Sequence, residues 1–132
     1  MPSPSTSRVF TALIRTHHIT SRKKLQRVKK AASQHSLPFV LIRSGGSPGI
    51  MYAEGTEADV SGWVSFVKGL RYKDFQCARK PAANDDVLVP DRYPPTQPSF
   101  EEVTSVTEFG HRMQQRGLSS WWKSAMGYNS SD

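Results

Sequence analysis

The chain has 132 residues, 36% hydrophobic and 22% charged, with a formal net charge of +7, enough for one domain with a modest core. Its single cysteine, Cys77, excludes a disulfide framework and a multi-cysteine metal site, so a reducing compartment is expected. No apolar run approaches the ~20 residues of a membrane span, and the first residues lack a secretory signal, so residues 1–8 read as a disordered lead.

The charge is uneven. Residues 1–80 hold 14 Lys and Arg against 4 Asp and Glu, whereas residues 81–132 hold 4 against 7. A basic body with a mildly acidic tail favours a polyanionic partner, although a solvated surface also accounts for a moderate excess.

Val9 to Arg15 is β-rich and largely apolar, as in a central strand. His17-His18-Ile19-Thr20-Ser21-Arg22-Lys23-Lys24 follows, two imidazoles and three cations where a helix should begin. Cations in a first turn oppose the helix macrodipole, which marks either a prepared anion site or a tolerant exposed face. The helix from Ser21 to His35 carries Leu25, Val28 and Ala32 at helical spacing, with Lys23, Arg27 and Lys30 on another face beside Arg22 and Lys29. Leu37-Pro38 ends it.

Phe39 to Arg43 and Ile50 to Glu54 form two more strands, joined through the turn Ser44-Gly45-Gly46-Ser47-Pro48-Gly49 as a hairpin. Thr56 caps a second helix, with Asp59 three residues on and a core stripe of Trp63, Val67 and Leu70, Phe66 alongside. Lys73 to Arg79 makes a fourth strand. The order β-α-β-β-α-β over residues 9–80 predicts an α+β, ferredoxin-like sandwich with strands in the order 4-1-3-2 and two helices on one face.

Residues 81–99, rich in proline, read as a long loop outside the compact core. Residues 100–128 read as C-terminal helices packing on that core. Val106, Phe109 and Met113 line the first, Arg116-Gly117 ends it, and Ser119 or Ser120 caps a last helix holding Trp121, Trp122, Ala125 and Met126.

Gly49-Ile50-Met51-Tyr52-Ala53-Glu54-Gly55, Trp63, Leu70-Arg71-Tyr72-Lys73, His17-His18-Ile19 before a basic helix, and the hairpin Gly46-Ser47-Pro48-Gly49 together carry a resemblance. So do Glu108-Phe109-Gly110-His111-Arg112-Met113 and Arg116-Gly117-Leu118-Ser119-Ser120-Trp121-Trp122. Over most of residues 9–126 the chain resembles the C-terminal domain of the pre-mRNA-processing factor three family, a small nuclear ribonucleoprotein domain also found behind RWD domains. The resemblance implies a ferredoxin-like fold and, from the splicing factor, contact with small nuclear RNA. The chain carries neither an RWD domain nor the splicing factor's long N-terminal region, and kinship of fold does not fix function.

Strands 1 and 2 should run parallel, bringing His17, His18 and the start of the first helix towards Arg43, Ser44, Gly45, Gly46 and Ser47, where N–H groups, hydroxyls and cations could hold a phosphate or a strand end. The expected nucleic-acid-binding residues are His17, His18, Arg22, Lys23, Arg27, Lys30, Arg43 and Tyr52. Tyr52, and less so Phe10, is a stacking candidate or simply core. A competing class is a protein-interaction module docking through Trp121 and Trp122, with Met126 and Tyr128; the same side chains could instead cap the open face of the sheet.

Catalysis is not expected. His17 and His18, as neighbours at a strand end, should point opposite ways, no triad or paired-carboxylate spacing appears, and the glycine-rich hairpin lacks a P-loop lysine. No ligand spacing supports a metal with His35 or His111, and no cofactor is expected. The reading is a non-catalytic, intracellular RNA-binding domain, nuclear or cytoplasmic, with RNA and a protein partner in a ribonucleoprotein as expected partners and no membrane association.

Overall fold

The structure, a computed structural model, describes residues 8–89 and 92–128, so the expected lead lies outside the described residues apart from Arg8. The elements are β1 (Phe10–Thr16), α1 (Arg22–Gln34), β2 (Phe39–Arg43), β3 (Gly49–Gly55), α2 (Glu57–Gly69), β4 (Gln76–Ala83), β5 (Ser99–Val103), α3 (Val106–Gln115) and α4 (Ser119–Met126). This is an α+β fold whose five strands form one mixed sheet in the order β4-β1-β3-β2-β5. Neighbours are antiparallel except β2 and β5, which pair in parallel from Phe39↔Ser99 to Arg43↔Val103.

The fifth strand departs from expectation. Ser99-Phe100-Glu101-Glu102-Val103 lies where residues 100–128 were read as helical throughout, and helix begins only at Val106. Two glutamates in five residues weaken its β propensity, so pairing with the apolar β2 decides the conformation. β4 also runs to Ala83, taking in Pro81; its place at the sheet edge explains how proline is tolerated there.

Alternation on the strands splits the interior in two. Ala12, Ile14, Val40, Ile42, Met51 and Ala53 face α1 and α2, where Leu25, Val28, Val60, Trp63 and Val67 close the first core. Leu13, Phe39, Leu41, Ile50 and Tyr52 face the other way, against Phe109, Met113, Leu118, Trp122 and Met126 of α3, α4 and their link. Because both faces are covered, the central strands read as continuous apolar runs. Each fully buried large side chain contributes roughly 1.5–3 kcal/mol relative to exposure.

Helix starts are set by side-chain caps: Ser21 Oγ accepts from Lys24 N at 3.1 Å, Thr56 Oγ1 from Asp59 N at 3.2 Å and Ser105 Oγ from Glu108 N at 2.9 Å. α4 differs from expectation: its N-cap residue is Leu118, with no side-chain cap, and Ser119 already lies in the helix. Gly117, at φ 79°, supplies the left-handed turn between α3 and α4.

The proline-rich segment is not detached from the core. Val87 is buried in the second core, Leu88 N donates to Arg116 O at 2.9 Å, and Tyr93 reaches a buried carboxylate described below. Among the described residues, no helix is long and apolar enough to cross a membrane.

Candidate nucleic-acid interface

α1 carries six cations, Arg22, Lys23, Lys24, Arg27, Lys29 and Lys30, and no acid in its 13 residues. Its apolar stripe of Leu25, Val28, Ala31 and Ala32 is buried against the sheet, which forces the charged positions outward. The unfavourable charge at its N-terminus is partly relieved by neighbours. Arg22 makes a two-pronged ion pair with Glu102 on β5, at 2.7 and 3.1 Å. The Lys24 ammonium lies 5.0 Å from the Tyr72 ring centre, and that of Lys29 lies 5.9 Å from Phe100. Lys23, Arg27 and Lys30 are exposed and, among the described residues, none has a carboxylate partner.

Glu102 holds this end of the helix to the sheet edge. The hydrogen bonds from Arg22 hold its carboxyl below the ordinary range, partial burial opposes them, and the Ser44 hydroxyl, a close donor, assists. Arg22 is therefore committed to a structural pair and is less available to an external phosphate than Lys23, Arg27 and Lys30.

The loops after β1 and β2 do converge. Gly45 N donates to Ile19 O at 2.8 Å, and Ser47 Oγ to His17 O at 2.6 Å. The donors expected to cradle an anion are nevertheless used internally. Arg43 Nε donates to Thr104 O at 2.9 Å and Nη1 to Pro48 O at 3.0 Å, while Ser44 is buried on Glu102. Arg43 thus braces the hairpin instead of facing outward. Gly49 permits the close approach of these loops, since a Cβ there would lie 2.6 Å from Ile19 Cγ1.

His17 and His18 are both exposed, and their rings lie side by side, with centres 4.7 Å apart and planes tilted by 53°. The expectation that they point opposite ways fails because β1 ends at Thr16, before strand alternation can separate them. Asp74 Oδ2 lies 3.5 Å from His17 Nδ1. Among the described residues, no group of three His, Cys, Asp or Glu side chains is placed to hold a metal ion.

Two other expected positions are corrected by burial. Tyr52 is fully buried in the second core, its hydroxyl donating to Glu54 Oε1 at 2.6 Å, so it offers no face to a base. Burial, with the adjacent Glu54, pushes its hydroxyl pKa well above the ordinary value. Trp122 is also buried, 5.2 Å from the Phe109 ring, and does not form an exposed docking patch. Trp121 is half-buried, edge-on to Tyr52 at 5.8 Å, and its carbonyl accepts from Arg79 Nη2 at 3.2 Å. The tryptophans act as a cap on the sheet's second face. Phe10 packs at the rim of the first core.

Two features escaped sequence reading. Phe66, expected alongside the core stripe of α2, is 40% exposed and borders a cleft between α1 and α2 with Arg27, Lys30, Gln34 and Leu70. The other is the environment of Glu54, fully buried on β3. It accepts from Tyr52, from Tyr93 Oη at 3.0 Å and from Arg116 Nε at 3.0 Å, with a second, closer contact to Arg116 Nη2. The Arg116 guanidinium sits 4.1 Å from the Phe39 ring centre. Burial alone would lower the Arg116 pKa, but Glu54 more than offsets it and the value is raised. The acid therefore ties α3 and the proline-rich segment to the sheet.

Among the described residues, the geometry defines an α+β domain with a free cationic face on α1 and both sheet faces covered. In comparisons with known proteins, no protein-family model and no curated protein matches the chain.

Proposed function

We propose that the protein is a non-catalytic RNA-binding domain that contacts the nucleic-acid backbone through the outward face of α1 and the adjoining His17-His18 loop. We also propose that β1–β4, with α1 and α2, are a ferredoxin-like unit extended by β5, α3 and α4, and that the chain is kin to the pre-mRNA-processing factor three C-terminal domain. The observation that carries the functional reading is the row Lys23, Arg27 and Lys30, exposed on a helix without a single acid. Phosphate binding needs cations in a row more than it needs exact geometry.

Coverage of both sheet faces supports the same surface, because bases cannot stack on strands occupied by α3 and α4. The test is fluorescence anisotropy with labelled RNA at two salt concentrations, comparing wild type with Lys23→Glu/Arg27→Glu/Lys30→Glu. Loss of three phosphate contacts on a single strand should reduce the slope of log affinity against log salt by about 2. An unchanged slope in the triple variant, or no binding by wild type at low salt, overturns the reading.

A further inference from the structure

The row of cations explains attraction to a phosphate backbone but leaves Phe66 unexplained. α2 already meets the core through Val60, Trp63 and Val67, and Trp63 is fastened to α1 by donation from Nε1 to Val28 O at 3.3 Å. Phe66 adds little to that contact. Among the described residues it is one of four large exposed apolar side chains; Leu88 and Val89 follow β4, and Tyr128 follows α4. Phe66 alone of them sits within a helix and beside cations.

The cleft it borders has a volume of about 340 Å³ and is lined by Arg27, Lys30, Gln34, Phe66 and Leu70. An aromatic ring and a leucine supply an apolar wall. Two of the three free cations of α1 line the cleft with them, as does Gln34, a primary amide that is donor and acceptor at once.

We propose that this cleft is a subsite for one unstacked base of the bound strand. Phe66 and Leu70 receive the base, Arg27 and Lys30 hold the phosphates that flank it, and Gln34 meets a polar edge of the ring. The proposal rests on the RNA reading above and adds to it a contact that depends on bases. A base stacked on an aromatic side chain brings affinity that is insensitive to sequence and largely insensitive to salt, unlike the phosphate contacts beside it. An acidic peptide would meet the same charges. Arg27 and Lys30 belong, however, to a row running past the cleft from Lys23 at intervals of about 6 and 4.5 Å along the helix axis, which suits a repeating backbone charge.

The test compares a short labelled RNA with a strand of the same length whose sugars carry no bases, each against wild type, Phe66→Ala and Phe66→Trp. Wild type should prefer the base-bearing strand by about tenfold. Phe66→Ala should abolish that preference while leaving the salt slope intact, and Phe66→Trp should keep it. Because Phe66 is exposed, both variants should retain the wild-type circular dichroism spectrum.

Equal, salt-sensitive binding of both strands by wild type overturns the base subsite and leaves the backbone reading standing. Absence of binding to either strand at low salt overturns both. A nuclear magnetic resonance titration in which an acidic, leucine-bearing peptide shifts Phe66 and Leu70, while RNA shifts neither, assigns the cleft to a protein partner and overturns the proposal.

Discussion

Glu54 is the side chain on which the second core depends most sharply. Its charge is removed from water and balanced, among the described residues, by Arg116 and two phenols, so deleting it leaves a guanidinium in a low-dielectric site. Glu54→Ala should cost about 3–5 kcal/mol in urea unfolding. Tyr93→Phe, which removes one of four donations, should cost about 1 kcal/mol. None of this was legible in the sequence, because Arg116 lies 62 residues from Glu54 and nothing local marks the pairing. Tyr52 was legible in part. Strand alternation put it on the face that residues 100–128 were expected to cover, and its full burial there decides for the core reading over the stacking one.

Glu102 offers a pH handle at the same scale. Its folded pKa is depressed, so its contribution to stability is present above the unfolded value of about 4.3 and is lost as pH falls through the lower folded value. Wild type should therefore lose urea resistance on acidification through this window, and Glu102→Gln should flatten part of that decline. An identical profile for the two proteins would refute the assignment.

At the scale of elements, the first helix is stabilised by its cap and opposed by its charge. Ser21→Ala should destabilise by about 1 kcal/mol through loss of the bond to Lys24 N. Lys23→Glu should act in the opposite sense, raising thermal stability by about 0.3–1 kcal/mol as an acid replaces a cation near the positive end of the dipole. The same change removes a proposed phosphate contact, so stability and RNA affinity should move in opposite directions, readable by calorimetry and anisotropy on one variant.

The long periodic elements α1 and α2 and the apolar strands β1, β2 and β3 were legible because their patterns and caps agree. β5 was not, because its glutamates conceal a strand that only β2 selects. The cationic face of α1 was visible from spacing alone. The cleft was not, since helical spacing puts Phe66 beside the stripe of Trp63 and Val67 without saying that it stays 40% exposed.

For the molecule as a whole, the C-terminal helices are a structural face of the sheet. Removing residues 119–128 would uncover Tyr52, Ile50 and Leu13 and leave Phe109 without Trp122. The truncated protein should elute as aggregates in size-exclusion chromatography and lose amide dispersion in its nuclear magnetic resonance spectrum. A monomeric, well-dispersed truncation would show that the first core is sufficient.

Two-sided burial also bears on synthesis. Translation delivers β1, β2 and β3 long before the helices that cover their second face, so the nascent chain carries an apolar sheet surface until α3 and α4 have left the ribosome. The wait would be served by chaperones or by the ribosome itself, and slowing elongation after β4 should increase the fraction of chain that becomes insoluble.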